Sequence, residues 1–164
     1  MRADVRPERP SDPPAIRSLL QQAFPTAAEA DLVDRLRRDG DCALSLVVEA
    51  DGEVVGHILF SAVAAPFRAL GLAPLAVRPD RQRRGIGDAL VRQGLALAAA
   101  GGWEGVFVLG EPAYYTRFGF DAAFARGFGS PYAGPNLMAL SLRGDPLPAR
   151  EGPVSYAPAF AALR

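Results

Sequence analysis

LAPLAVRPDRQRRGIGDAL, residues 72–90, is the stretch on which the fold turns. Its left part continues an apolar run of strand character that starts at Gly71 and ends at Val77, and its right part opens a helix near Gly85. An arginine-rich loop, 78–87, lies between them. Helix N-termini carry unpaired N–H groups and a partial positive charge, so anions bind there. Gly85 and Gly87 let a ligand come close to the backbone. Arg78, Arg81, Arg83, Arg84 and Arg92 against Asp80 and Asp88 leave a local charge of +3. A charge-assisted hydrogen bond to phosphate is worth about 1.5–3 kcal/mol, so two or three would hold a pyrophosphate. The plain alternative is a solvated arginine loop closing a surface turn.

Pro74 adds to this reading. It has no N–H for a ladder, so inside a strand it marks a bulge or a place where strands part. A parted strand leaves backbone groups free for an extended, amide-bearing ligand such as pantetheine, which carries a pyrophosphate at one end. Two other phosphate sites fit worse. A Rossmann fingerprint needs its first glycine directly after the strand, whereas seven residues separate Val77 from Gly85 and Leu90 stands where the third glycine belongs. A P-loop needs a lysine, and the chain has none.

Upstream, a strand is predicted over 3–8. Ser11 and Asp12 before Pro13 and Pro14 cap a helix whose core face is Ile16, Leu19, Leu20, Ala23 and Phe24. Pro25 ends it, and Thr26 with Glu29 reads as a capping box for a second helix carrying Leu32, Val33 and Leu36, closed at Asp39-Gly40. Asp51-Gly52 joins strands over 43–49 and 53–63 as a hairpin. On the second of these, Val54, Gly56, Ile58, Phe60 and Ala62 form an apolar face, with Val55, His57, Leu59, Ser61 and Val63 opposite. Downstream, the helix of about fifteen residues turns Ile86, Leu90, Leu95 and Ala98 inward and stops at Gly101-Gly102, before a strand over 106–109. A Gly/Pro loop over about 126–136, a strand over 137–142, a Pro-rich link over 144–153 and a last strand near Val154–Tyr156 complete the reading. The order β-α-α-β-β-β-α-β-α-β-β predicts an α/β fold in one domain, 1–164: a mixed sheet with helices on both faces.

Composition sets limits on chemistry. The 164 residues carry 18 acidic and 18 basic side chains, and a zero net charge argues against a nucleic-acid partner. All 18 basic residues are arginine, which with 30 alanines, 17 glycines and 15 prolines has the stamp of a GC-rich coding bias. Without lysine there is no Schiff base and no pyridoxal phosphate. One cysteine, Cys42, and one histidine, His57, exclude an intramolecular disulfide, a thiolate zinc site and a multi-histidine metal site, so no metal is expected. The start has no apolar h-region, and no run approaches the roughly 18 apolar residues of a membrane span; a cytoplasmic protein with no membrane partner is the expectation.

QRRGIG (82–87) resembles the Q/R-x-x-G-x-G/A signature of the GNAT superfamily of acyl-CoA-dependent N-acyltransferases, and LAVRPD (75–80) resembles the strand leading into it. YTRFGF (115–120) is similar to the family's Tyr-x-x-Leu/Phe-Gly-Phe element, about thirty residues on and in the same order. GHILFS (56–61), LGEPAYYTRFGF (109–120) and VSYAPAF (154–160) are similar to a branch of small bacterial proteins predicted to be N-acetyltransferases. The resemblance implies acetyl-CoA as co-substrate and an amine of a small molecule or peptide as acceptor, attacked directly in a ternary complex. It implies that Leu75, Ala76 and Val77 offer backbone groups to pantetheine and the thioester. Backbone N–H groups from Arg83, Arg84, Gly85, Ile86, Gly87 and Asp88 would cradle the pyrophosphate. Tyr115 would donate a proton to the departing thiolate, with Tyr114 its rival. Val108 stands where the family often has an asparagine.

Some base or water must take the amine's proton, since deprotonating an alkylamine at pH 7 costs about 4–5 kcal/mol. Glu111 and His57 are the candidates; the bland readings are a helix-terminal acid and a core histidine. Glu29, Asp31 and Asp34 would either attract a cationic amine or serve as the solvated first turns of a helix. If the side chain of Arg83 or Arg84 grips phosphate, alanine there weakens coenzyme binding in a salt-dependent way. The competing function is a non-catalytic CoA-binding regulatory domain of the same fold, as a monomer or homodimer; a general phosphate- or nucleic-acid-binding module is the third reading.

Overall fold

The computed structural model describes residues 4–144 and 146–163. Six strands form one mixed sheet in the order β1-β2-β3-β4-β5-β7: β1 (Val5–Pro7), β2 (Cys42–Ala50), β3 (Glu53–Val63), β4 (Ala69–Val77), β5 (Gly105–Leu109) and β7 (Leu137–Ser141). Only β4 and β5 run parallel; the other neighbours are antiparallel. β6 (Phe128–Gly129) and β8 (Gly152–Pro153) make a separate parallel pair. The expected fold class, an α/β mixed sheet with helices on both faces, is what the structure has.

On one face lie α1 (Pro13–Ala23) and α2 (Ala28–Asp39), whose Ile16, Leu20, Val33 and Leu36 pack with Val47, Leu59, Ala76 and Phe160. On the other lies α3 (Ile86–Ala100), whose Ile86, Leu90 and Val91 pack with Ile58, Phe60 and Leu72. Glycines on both partners let α3 lie close to β3. A Cβ on Gly94 would come 2.3 Å from the Phe60 ring, and one on Gly56 would come 2.7 Å from Ile86 Cγ2. This close seating fixes where the N-terminus of α3 points.

Several local expectations need correction. The strand expected over 3–8 is Val5–Pro7, and Ala3 falls outside the described residues. Asp12 precedes α1 but makes no cap: Arg6 holds both its oxygens at 2.7 and 3.1 Å, and the Arg9 N–H donates to it. Nor does the capping box form. Thr26 Oγ1 accepts from the N–H of Ala28, at 3.2 Å, and Ala27 is the N-cap. Alternation along β3 breaks at a bulge where Val48 faces Gly56 and Glu49 faces Val54, so Val54 joins the α1–α2 face and Val55 the α3 face. The Gly/Pro loop contains β6, and the strand expected near 154–156 is displaced to Gly152–Pro153, with Ser155 in a single bridge to Ala64. Two-residue pairings carry too little pattern to be read from sequence. Among the described residues, no helix is long and apolar enough to cross a membrane, and no cluster of side chains could hold a metal ion.

Candidate functional site

β4 is bulged at Ala73 and Pro74, since Ile58 faces Leu75 while Phe60 faces Leu72. Its pairing with β5 covers only Ala69–Gly71 against Gly105–Phe107. Beyond that, Val108 and Leu109 pair away from β4, with Met138 and Leu137 of β7, and a gap opens beside residues 72–77. Backbone groups alternate sides along a strand. The Arg78 N–H donates across to Val55 O at 2.8 Å, which turns the groups of Leu75 and Val77 to the gap side. Consistently, the Val77 carbonyl accepts from Gln82 Nε2 at 3.1 Å. Ala76 pairs with His57, and its side chain is buried on the α1–α2 face.

The gap leads to the N-terminus of α3. Arg83 (φ +65°) and Gly85 (φ +83°) both adopt left-handed backbone, which turns the chain sharply into Ile86. A non-glycine residue pays roughly 1–2 kcal/mol for this conformation, and such strain gathers at functional sites. A cleft of about 520 Å³ lies here, lined by Leu75, Val77, Arg81–Arg83, Gly85–Asp88, Tyr114 and Arg117. It brings together Leu75, Val77, Arg83, Gly85, Ile86, Gly87 and Asp88 from the expected set; Arg84 is exposed beside it. Arg78 is tied to Glu53 and Asp80, and Arg81 to Asp51, whereas Arg83 and Arg84 keep unpaired guanidiniums among the described residues.

Tyr115 ends the short helix α4 (Pro112–Tyr115), which follows β5. Its ring lies against Gly110, where a Cβ would come 2.6 Å from Cε2, and edge-on to Tyr114 and Phe120 at 5.0 and 5.9 Å. Its hydroxyl has no hydrogen-bond partner among the described residues, and burial pushes its pKa up to about 12. Tyr114 instead lines the cleft and donates to Asp88 Oδ1 at 3.1 Å. Burial, then that bond, pushes its pKa up as well. Sequence reasoning treated Tyr114 only as a rival to Tyr115 and passed over Arg117. The signal lay in the YTRFGF element itself, whose third residue is that arginine. Val108 is buried in the core on β5.

The two base candidates differ in position. Glu111 is exposed at the N-cap of α4, where its side chain makes no cap bond. His57 has no exposed surface, and burial lowers its pKa to about 3. Ser45 Oγ donates to Glu8 Oε1, so it accepts from His57 Nε2 at 2.9 Å, and the neutral ring carries its proton there. His57 is a core histidine, at the end of a chain that runs through Ser45 and Glu8 to Arg37. Because the folded pKa lies below the unfolded value near 6.5, stability is full above pH 6.5 and falls as pH drops towards 3. At pH 5 the loss is about 2 kcal/mol. The melting temperature should therefore fall between pH 7.5 and pH 5, and fall less in His57→Gln; equal falls in both proteins contradict the assignment. Asp31 and Asp34 are held by Arg17 at 2.9 and 2.7 Å, as surface helix acids, while Glu29 Oε1 is buried with no partner among the described residues. Cys42 is half-buried at the start of β2, and burial raises its pKa.

Comparison with known proteins identifies the family. The model of the acetyltransferase (GNAT) family matches residues 13–120. An uncharacterized N-acetyltransferase of Escherichia coli K12, YhbS, is 42% identical over 123 residues, covering 73% of this chain and 74% of its own. A second, YjhQ, is 40% identical over 151 residues, covering 84% and 83%. The crystal structure of E. coli YhbS with CoA superimposes with a TM-score of 0.92 at 36% identity, over 98% of this chain and 93% of that one. A GNAT family acetyltransferase from Brucella melitensis with acetyl-CoA gives 0.80 at 37% identity, over 97% and 98%. With its split sheet, its glycine turn and its two motifs, the chain belongs to the GNAT family of acetyltransferases.

Proposed function

We propose that the protein transfers the acetyl group of acetyl-CoA to a primary amine of a small molecule or peptide, by direct attack in a ternary complex. The observation that carries this is the gap beside β4, which runs without a break into the strained turn and the N-terminus of α3. Such a site offers an extended ligand backbone hydrogen bonds at one end and an anion cradle at the other. The relatives with CoA and acetyl-CoA support the same ligand.

In the reaction the amine nitrogen attacks the thioester carbonyl. The new C–N bond forms, the C–S bond breaks, and the electron pair leaves on sulfur while nitrogen loses a proton to water. Tyr115 serves the departing sulfur. With its pKa near 12, full transfer of its proton to a thiolate near 8.5 is uphill by about 5 kcal/mol. The phenol therefore acts as a hydrogen-bond donor while charge develops, and solvent completes the protonation. Two-substrate kinetics of thiol release over an amine panel test the proposal. Intersecting initial-velocity patterns and unmodified Cys42 are expected; parallel patterns with acetylated Cys42 would overturn direct attack. CoA binding without turnover on any amine would favour the non-catalytic regulatory domain instead.

A further inference from the structure

The cleft has a second wall, which the N-terminus of α3 does not supply. Tyr114 Oη donates to Asp88, and Arg117 Nη1 lies 3.2 Å from Asp88 Oδ2. The Arg117 guanidinium sits over the Tyr114 ring, 4.6 Å from its centroid. A Cβ on Gly87 would come 2.9 Å from Tyr114 Oη, so the hydroxyl rests on the backbone of the cradle itself. Tyr114, Asp88 and Arg117 all line the cleft, together with Arg81 and Arg83 of the loop.

Arg117 engages Asp88 through one prong of its fork. Its Nη2 and Nε have no partner among the described residues, and 47% of its side chain is exposed. A guanidinium stacked on an aromatic ring, with spare donors facing an anion site, suits bidentate recognition of phosphate. Asp88 poses the opposite problem. A carboxylate in the first turn of α3 stands where phosphate negative charge would gather, and it is tolerable there only while compensated. Its two contacts, Tyr114 and Arg117, supply that compensation.

We propose that Arg117 is a coenzyme-binding residue that meets a phosphate of the coenzyme with its free donors, and that Asp88, fixed by the Tyr114 hydroxyl, is the residue that positions it. The proposal rests on the reading that this cleft takes CoA. The competing account is a helix-terminal acid paired with a solvated arginine.

Calorimetric titration of CoA into wild type, Arg117→Ala, Arg117→Lys, Asp88→Asn and the Asp88→Asn/Arg117→Ala double variant separates the two. At about 50 mM salt, Arg117→Ala should bind CoA about tenfold more weakly, shrinking to about threefold at 0.5 M. Arg117→Lys, which keeps the charge without the fork, should recover only part of the loss. Asp88→Asn should weaken binding a few-fold in the wild-type background; beside Arg117→Ala it should cause no further loss and recover part of the affinity, because Asp88 positions that arginine and, once uncompensated, repels the phosphate. Repeating the series with 3′-dephospho-CoA tells whether the pyrophosphate or the 3′-phosphate is met. Wild-type affinity in Arg117→Ala, a salt-independent loss with a lowered melting temperature, or an Asp88→Asn loss that persists in the double variant would overturn the proposal. A wild-type protein that takes up no CoA would overturn the preceding function instead.

Discussion

Replacing Tyr115 by phenylalanine is expected to lower kcat for acetyl transfer at least about tenfold while CoA affinity stays within about twofold. The substitution removes one oxygen and nothing else. The ring keeps its seat against Gly110 and its edge contacts with Tyr114 and Phe120, so the packing behind β5 should survive. The hydroxyl makes no hydrogen bond among the described residues, so its loss orphans no buried partner there. Hydrogen-bond assistance to a leaving group of this kind is typically worth 10²–10⁴-fold, and the tenfold floor allows water to substitute in part. Steady-state kinetics beside a CoA titration separate the two quantities. An unchanged kcat would remove Tyr115 from the chemistry and direct attention to Tyr114.

Gly94→Val is expected to damage the fold through the contact that seats α3 on the sheet. Gly94 faces Phe60 across the α3–β3 contact, where a Cβ would lie 2.3 Å from one ring carbon and 2.7 Å from the next. Phe60 is itself fully buried, so its ring has nowhere free to turn. Overpacking of this type costs about 1–3 kcal/mol, against a helix-propensity gain of less than about 1 kcal/mol from leaving glycine. The cost wins. A drop in melting temperature of about 2–10 °C is expected for a chain of this size. An unchanged melting temperature would mean that α3 sits further from the sheet than described, and the placing of its N-terminus would fall with it.

How far the sequence foretold this structure can be read from particular residues. Pro74 announced the parting of the strands, because a residue without an N–H leaves a gap in any ladder. The glycine turn and the helix after it were legible for a similar reason: Gly85 marks a conformation that few other residues accept. What stayed hidden depended on partners outside each element's own pattern. Asp12 looked like a helix cap until Arg6, six residues earlier, took both its oxygens. Val54 and Val55 changed faces because of a bulge set by the register with β2, which alternation alone does not encode. Likewise, the Tyr114–Asp88–Arg117 cluster joins α4 and its following turn to α3 across 26 to 29 residues, with no local spacing to betray it.

Residue-resolved amide exchange with and without CoA puts the binding geometry to the most direct trial. The N–H groups of Leu75 and Val77, and those from Arg83 to Asp88, should gain protection together when CoA is added. Those of β2 and β7 should be unaffected. If CoA binds and leaves these amides exchanging as before, the opened strand and the glycine turn do not hold the coenzyme, and the transferase mechanism built on them fails.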